Sequence, residues 1–274
     1  MELLQPSSLE EIPSNTVLLS GGTEVVPLLR DGLIEAETLV DVRGVVPRGI
    51  DGTSIGAGTT LGELEADPDI PEALREASRL AASPQHRNMG SVGGNLLQAT
   101  RCWYWRLKFP CRLHGGDVCH ARRGEHREHA IFGNDFCASA HPSDLAAALI
   151  ALRATMRTNR REFPIEELYR LPNQDDRNVT TLEPGELILD LDVPRPDDST
   201  YLKAMDRQRW SFPLVGVAAA RSGDERRLVL AGVAPVPWVL DSPDDLETAT
   251  PLPGTAYKVE IARALVRRAL EAVA

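Results

Sequence analysis

Residues 82–99 read ASPQHRNMGSVGGNLLQA. Gly90, Gly93 and Gly94 interrupt a helical pattern there, flanked by the small polar side chains of Asn88, Ser91 and Asn95. Glycine lets backbone N–H groups come close to an anion and reaches positive φ at no steric cost. A second stretch of the same kind lies upstream. LLSGGTEVVPLLR (18–30) carries Ser20-Gly21-Gly22-Thr23-Glu24 directly after the short apolar run TVLL (16–19). Two such loops suit a pyrophosphate-bridged dinucleotide gripped from both sides. Each alone is more often just a turn, and neither has the G-x-G-x-x-G or the G-x-x-x-x-G-K-[ST] spacing of the common nucleotide motifs. Arg87 is a phosphate partner or a surface ion pair.

Around the loops the pattern mixes strands and helices without a regular βαβ rhythm, which predicts an α+β fold. Strands are expected at 16–19, 38–42, 53–57, 154–158, 186–193, 200–206, 213–220 and 227–235. Helices are expected at 24–30, 70–82, 142–152, 164–170 and 256–273, with Pro27 in the first turn of its helix. Ile70, Leu74, Ala77 and Ala81 fall at helical spacing. Thr60 followed by Glu63 is a capping box, and Ser143 is an N-cap. The polar run LPNQDDRNVT (171–180) marks a linker.

Residues 99–141 differ in kind. They hold all four cysteines (Cys102, Cys111, Cys119 and Cys137), five of the six histidines, and the run Trp103-Tyr104-Trp105. Aromatics and cysteines argue against disorder, and a long irregular stretch in a compact domain is commonly functional. The spacing C-x8-C-x7-C-x17-C lacks the close pair of a zinc finger. Four thiolates can complete a tetrahedral zinc site or a four-iron cluster. His114, His120, His126 and His129 either replace a ligand or face solvent in a polar loop. The three aromatics are expected to form the loop's own small core.

The chain has 274 residues, ample for a sizeable core, and a net charge of −10, which disfavours a nucleic-acid partner. No apolar run reaches membrane-spanning length, and MELLQPSSLEEIP lacks the basic start of a secretory signal. The expected compartment is cytoplasmic, or periplasmic if a signal-bearing partner exports the folded subunit. Four cysteines in a reducing compartment point to metal or redox chemistry rather than disulfides.

The strings LLSGGTEVVPLLR, IGAGTTLGELE (55–65) and ASPQHRNMGSVGGNLLQA, in this order, resemble the FAD subunit of the xanthine dehydrogenase and carbon monoxide dehydrogenase family, the molybdenum hydroxylases. The resemblance continues through HPSDLAAALIAL (141–152), GELILDLDVP (185–194), YLKAMDRQRWSFPLVGVAAA (201–220) and YKVEIARALVRRAL (257–270). It implies a two-subdomain FAD-binding domain of the PCMH type over residues 1–172, divided near 52/53. A smaller α+β domain over 173–274 follows. Leu19, Ser20, Gly21, Gly22, Thr23, Glu24 and Val25, with Asn88, Ser91, Val92, Gly93, Gly94 and Asn95, match the pyrophosphate loops. Asp144, Ile188 and Lys203 match residues around the flavin. Ala81 stands where some relatives carry an aromatic.

RCWYWRLKFPCRLHGGDVCHARRGEHREHAIFG (101–133) resembles the branch with some bacterial aldehyde oxidoreductases and 4-hydroxybenzoyl-CoA reductase, in which the inserted loop binds a four-iron–four-sulfur (4Fe-4S) cluster. The four cysteines are then its ligands. Between GVAPVPW (232–238) and GTAYKVE (254–260) the chain is shorter than its relatives. The family further implies a large molybdenum-cofactor subunit, a small subunit with 2Fe-2S clusters, and an external electron acceptor. On that reading the substrate chemistry lies on a partner and this chain carries no catalytic acid, base or nucleophile. Two rival readings are a stand-alone FAD-dependent oxidoreductase and a non-catalytic scaffold with structural zinc. The first is disfavoured because no His or Cys precedes His86 to anchor a flavin covalently near the first loop.

Overall fold

The structure is a computed structural model that describes residues 1–207 and 209–274. Three sheets and the helices between them make up an α+β architecture. The first sheet is parallel, in the order β1 (Glu2–Leu4), β3 (Thr38–Asp41), β2 (Val17–Leu19). Helix α1 (Val25–Arg30) crosses over between β2 and β3. The second sheet is antiparallel, ordered β4 (Ile50–Asp51), β5 (Ser54–Gly56), β8 (Ile188–Asp192), β6 (Thr155–Thr158), β7 (Glu162–Pro164). The third, also antiparallel, is ordered β12 (Trp238–Leu240), β11 (Glu225–Ala231), β10 (Val215–Ser222), β9 (Asp198–Ala204).

Helices α2 (Leu61–Ala66), α3 (Glu72–Ala81), α4 (Pro84–Arg87), α5 (Val92–Leu96), α6 (Trp103–Arg106) and α7 (Asp144–Ala151) lie before or within the second sheet's chain path. The last helix, α8 (Tyr257–Ala272), covers the third sheet. One large core joins α2, α3 and α7 to the second sheet and to one face of the third. A second core lies between the other face of the third sheet and α8. Strand β10 shows why both are needed. Val217 and Ala219 face α8, whereas Ala218 and Ala220 face the large core, so successive residues are buried on opposite sides. Every residue of α7 is buried for the same reason: it sits between layers and has no solvent face.

The local readings hold at the caps. Thr60 Oγ1 accepts from the Glu63 N–H while the Glu63 carboxylate accepts from the Thr60 N–H, closing the capping box of α2. Ser143 Oγ caps α7 by accepting from the Ala146 N–H. The segment expected as a helix at 164–170 is instead one 3-10 turn, Ile165–Leu168.

Strand pairing crosses both expected divisions. The hairpin β4–β5 straddles the division expected near 52/53, and β8 pairs with both β5 and β6 well past residue 172. Pairing between Ser54 and Asp192 ties GELILDLDVP to the FAD-type half of the chain. The polar run at 171–180 is therefore a surface excursion within that half, and the third sheet starts at Asp198.

Candidate functional site

The first glycine loop leaves β2 at Leu19 and enters α1 at Val25. Gly22 has φ +72°, the left-handed region in which glycine is favoured. A Cβ on Gly21 would lie 1.6 Å from the Met89 carbonyl oxygen, so the two loops meet backbone to backbone. The second loop is pinned in turn to the IGAGTT segment. The Leu61 N–H donates to Gly90 O, the Val92 N–H to Thr59 O and the Gly93 N–H to Ala57 O. This accounts for the string IGAGTTLGELE, which supplies the shelf that the second loop rests on.

The two loops differ as donors. Among the described residues, the backbone N–H groups of Gly21, Gly22, Thr23 and Glu24 have no hydrogen-bond partner in the protein. In the second loop, Val92 and Gly93 are engaged as above and the Gly94 N–H donates to Ser91 Oγ. The expected grip by donors from both sides is thus asymmetric. The first loop offers four consecutive donors, and the second brings glycine backbone close enough to form the opposing wall.

Between the loops lies a cavity of about 260 Å³. Ser20 through Val25 line it, with Ser91, Gly93 and Gly94 opposite and an apolar wall that includes Leu28, Val46, Leu97 and Ile188. A smaller cavity of about 100 Å³ shares Ser20, Gly21 and Gly58 with it and adds Arg43, Arg48, Thr60, Asn88 and Met89. Arg43, Arg48, Leu97 and Glu186 are wall residues that sequence reasoning missed. Asp41 and Glu63, the partners of the two arginines, lie two and 15 residues away, so only the folded chain shows them together. Burial alone would raise the Glu186 carboxyl. Bonds from Arg161, the Glu183 N–H and Thr158 outweigh it and hold the group at about 2.

Leu19, Val92 and Asn95 stand behind this lining. Leu19 ends β2, Val92 is in the core, and Asn95 Oδ1 accepts from Ser143 Oγ at 2.6 Å. Arg87 is no phosphate partner here. It is buried, paired with Glu65 at 2.7 Å.

The cysteines come together as the spacing could not show. Cys102, Cys111, Cys119 and Cys137 line one cavity, with Tyr104, Trp105, Leu113, His120 and Ser139 around them. Its free space is about 10 Å³, room for about one water. Among the described residues, no three His, Cys, Asp or Glu side chains converge closely enough to hold a single metal ion. Burial pushes the Cys137 thiol up to about 12 and also raises Cys102. Four cysteines around one cavity are a donor set of the kind a cluster uses, with ligands further apart than those of one ion; to hold one, the thiols would have to spread from the present space.

Of the four histidines His114 alone is exposed, stacked on Trp105; the other three are partly or fully buried. His129 is 2% exposed, with Nε2 3.3 Å from Cys102 Sγ, and His126 Nε2 accepts from the Gly254 N–H. The His120 Nε2 is buried at the cysteine cavity without a hydrogen-bond partner among the described residues. Nor is the loop's packing confined to its own aromatics. Tyr104 packs with Cys119, Ala121 and Ala138, but Ile131 and Phe132 belong to the core under α8, where Phe132 stacks on Trp238.

Residues 2–196 match the family described as the FAD binding domain in molybdopterin dehydrogenase. This chain belongs to that family. It is 34% identical over 260 residues to the aldehyde oxidoreductase FAD-binding subunit PaoB of Escherichia coli (strain K12), covering 86% of this chain and 80% of that protein. A carbon monoxide dehydrogenase medium chain of Hydrogenophaga pseudoflava is 33% identical over 96 residues, 32% of this chain and 33% of that one.

Solved structures extend the likeness in fold. A carbon monoxide dehydrogenase from Hydrogenophaga pseudoflava lacking the Mo-pyranopterin moiety superposes with a TM-score of 0.70 at 22% identity, over 99% of this chain and 96% of that one. Quinoline 2-oxidoreductase from Pseudomonas putida 86 gives 0.66 at 19%, with the same coverage. The third sheet, wholly beyond the family match, is therefore shared in fold.

Within the family's fold, Ala81, Asp144 and Lys203 gather away from the glycine cavity, whereas Ile188 lines it. Lys203 Nζ lies 2.8 Å from the Asp144 carboxylate and donates to Leu80 O, next to Ala81. Tyr201 also donates to Asp144, passing over Gly216, where any Cβ would strike its hydroxyl. Burial raises the Asp144 carboxyl despite Lys203 beside it. Among the described residues, no helix is long and apolar enough to cross a membrane.

Proposed function

We propose that this chain is the FAD-binding, electron-transferring subunit of a heteromeric molybdenum hydroxylase of the aldehyde oxidoreductase kind. One observation carries the reading: four N–H groups without a partner among the described residues, in a strand-to-helix loop that lines a cavity whose other wall is a glycine loop, in a chain of this family. Oriented backbone donors of this kind suit a diphosphate. The apolar wall around Leu97 and Ile188 suits a flat ring system, and the adjoining cavity with Arg43 and Arg48 gives an extended ligand room to continue. When bound, FAD exchanges electrons singly with metal clusters and in pairs with an acceptor.

The loops orient the ligand and the protein encloses it. Substrate chemistry belongs to a large molybdenum-cofactor subunit, and electrons reach this chain through a small 2Fe-2S subunit before passing to an external acceptor. Support comes from the names of the relatives, an FAD-binding subunit and a medium chain, both of which imply assembly with other chains. Residues 99–141 hold a 4Fe-4S cluster on Cys102, Cys111, Cys119 and Cys137. Four thiols around one cavity, three of them buried, without single-ion convergence among the described residues, favour that over zinc. Purification from its native host should yield the chain with one larger and one smaller partner, stoichiometric FAD and about four irons per chain beyond the partners' own. A chain that turns over substrate alone, or one carrying zinc, would count against the corresponding part.

A further inference from the structure

Glu24 closes the first glycine loop, and its side chain is held from the cysteine insertion. Its Oε1 accepts from Arg106 Nη2 at 2.6 Å and from the Ala99 N–H at 3.1 Å. Its Oε2 lies 2.7 Å from Arg101 Nη2. Arg106 is also bonded to the chain that enters the insertion, donating to Thr100 O at 2.9 Å and Ala99 O at 3.2 Å. It closes α6, whose N-cap is Cys102, and its N–H donates to Cys102 O. Arg101 directly precedes Cys102 and lies over the Phe212 ring. A short path of rigid elements thus runs from a cysteine of the thiol cavity, through α6 and Arg106, to the loop with the four open N–H donors.

The charges give the path a consequence. Glu24 lines the dinucleotide cavity, and its carboxylate, 12% exposed, stands beside donors suited to a diphosphate. Unpaired, it would repel that diphosphate at short range in a partly buried site. Two guanidiniums against one carboxylate reverse the local sign. Both belong to the insertion, so anything that unfolds residues 99–106 removes them together.

We propose that Arg101 and Arg106 are positioning residues that couple the cysteine pocket to the dinucleotide loop, so that filling the pocket with its metal cluster tightens FAD binding. By linkage, bound FAD stabilises the filled pocket equally. The inference rests on the FAD and cluster readings above and makes the insertion a determinant of flavin retention, although it lies outside both glycine loops.

The test is equilibrium FAD binding to the purified full chain, followed by quenching of flavin fluorescence. Arg106→Met should weaken binding about tenfold or more, the scale of losing a charge-assisted bond to a carboxylate left unpaired. In a Glu24→Gln background the same change should cost less than about threefold, because no carboxylate remains to be neutralised. Arg106→Lys should recover part of the loss, keeping charge but not the fork that spans Glu24 and the two carbonyls. Cys111→Ser, which empties the pocket, should weaken FAD by a similar factor and add little to Arg106→Met. General misfolding would give neither the rescue by Lys nor the dependence on Glu24. If the unaltered chain binds FAD and Arg106→Met binds it equally, or loses as much in the Glu24→Gln background as with Glu24 in place, the coupling is wrong while the FAD reading stands. If the unaltered chain binds no FAD, both fall.

Discussion

A methyl group at position 21 would sit 1.6 Å from the Met89 carbonyl oxygen, a distance that only movement of backbone can relieve. Gly21→Ala should therefore push the two loops apart. We expect a stability loss of about 1–3 kcal/mol, the usual cost of forcing extra atoms into a packed site, together with loss of FAD on gel filtration. Gly93 and Gly94 are less strict. A Cβ there meets Ala57 at 3.3 Å or Ser91 Oγ at 3.0 Å, so alanine at either position should weaken binding less than at Gly21. The Asp144–Lys203 pair is buried with neither side chain more than 2% exposed. Lys203→Met would leave the carboxylate alone in the interior, and denaturant melts should show a loss of about 3–5 kcal/mol. Glu186 gives the acid limb. Its carboxyl is held at about 2 against an ordinary 4.5, so it stabilises the fold fully above pH 4.5 and ceases to as pH falls through 2. Arg161→Met should remove part of that contribution, and the stability difference between the two proteins should shrink as the pH is lowered through this window.

At the level of elements, what the sequence told depended on how local the signal was. The capping box at Thr60 and Glu63 and the cap at Ser143 involve residues three apart, and both are legible without a structure. So is α7, an unbroken apolar run between caps. Strand β8 was recognisable as a strand but not as a partner of β5, because the pairing of Ser54 with Asp192 spans about half of the chain. That pairing carries the second sheet across the division expected near 172. The site divides the same way. Glycine, serine and asparagine at the loops announce a phosphate grip, whereas the asymmetry of donors depends on which N–H groups the Ala57–Thr59 segment takes. Glu24 and Arg106 are 82 residues apart, and no periodicity connects them. The insertion stood out in the sequence by its cysteines, but not its anchoring through Ile131 and Phe132 under α8. Phe132→Ala should accordingly cost about 3–5 kcal/mol, the range for a buried aromatic. Proteolysis should then open residues 99–141 sooner than in the unaltered chain.

The whole molecule places two candidate cofactor pockets in one continuous body. The glycine cavity lies between the first two sheets' loops, the cysteine cavity in the insertion, and Glu24 with its two arginines between them. The third sheet and α8 hold the far side of the insertion through the second core. On the proposed reading, one body would hold a flavin and a cluster, as a relay requires. The central claim of that reading is that the open N–H groups of residues 21–24 bind the diphosphate of FAD. The most direct measurement is the FAD content and dissociation constant of the purified chain beside those of Gly21→Ala. Stoichiometric, tightly held FAD is expected in the first, and an affinity lower by about tenfold or more in the second. A chain that binds no FAD, or a Gly21→Ala protein that holds it as tightly, would contradict it.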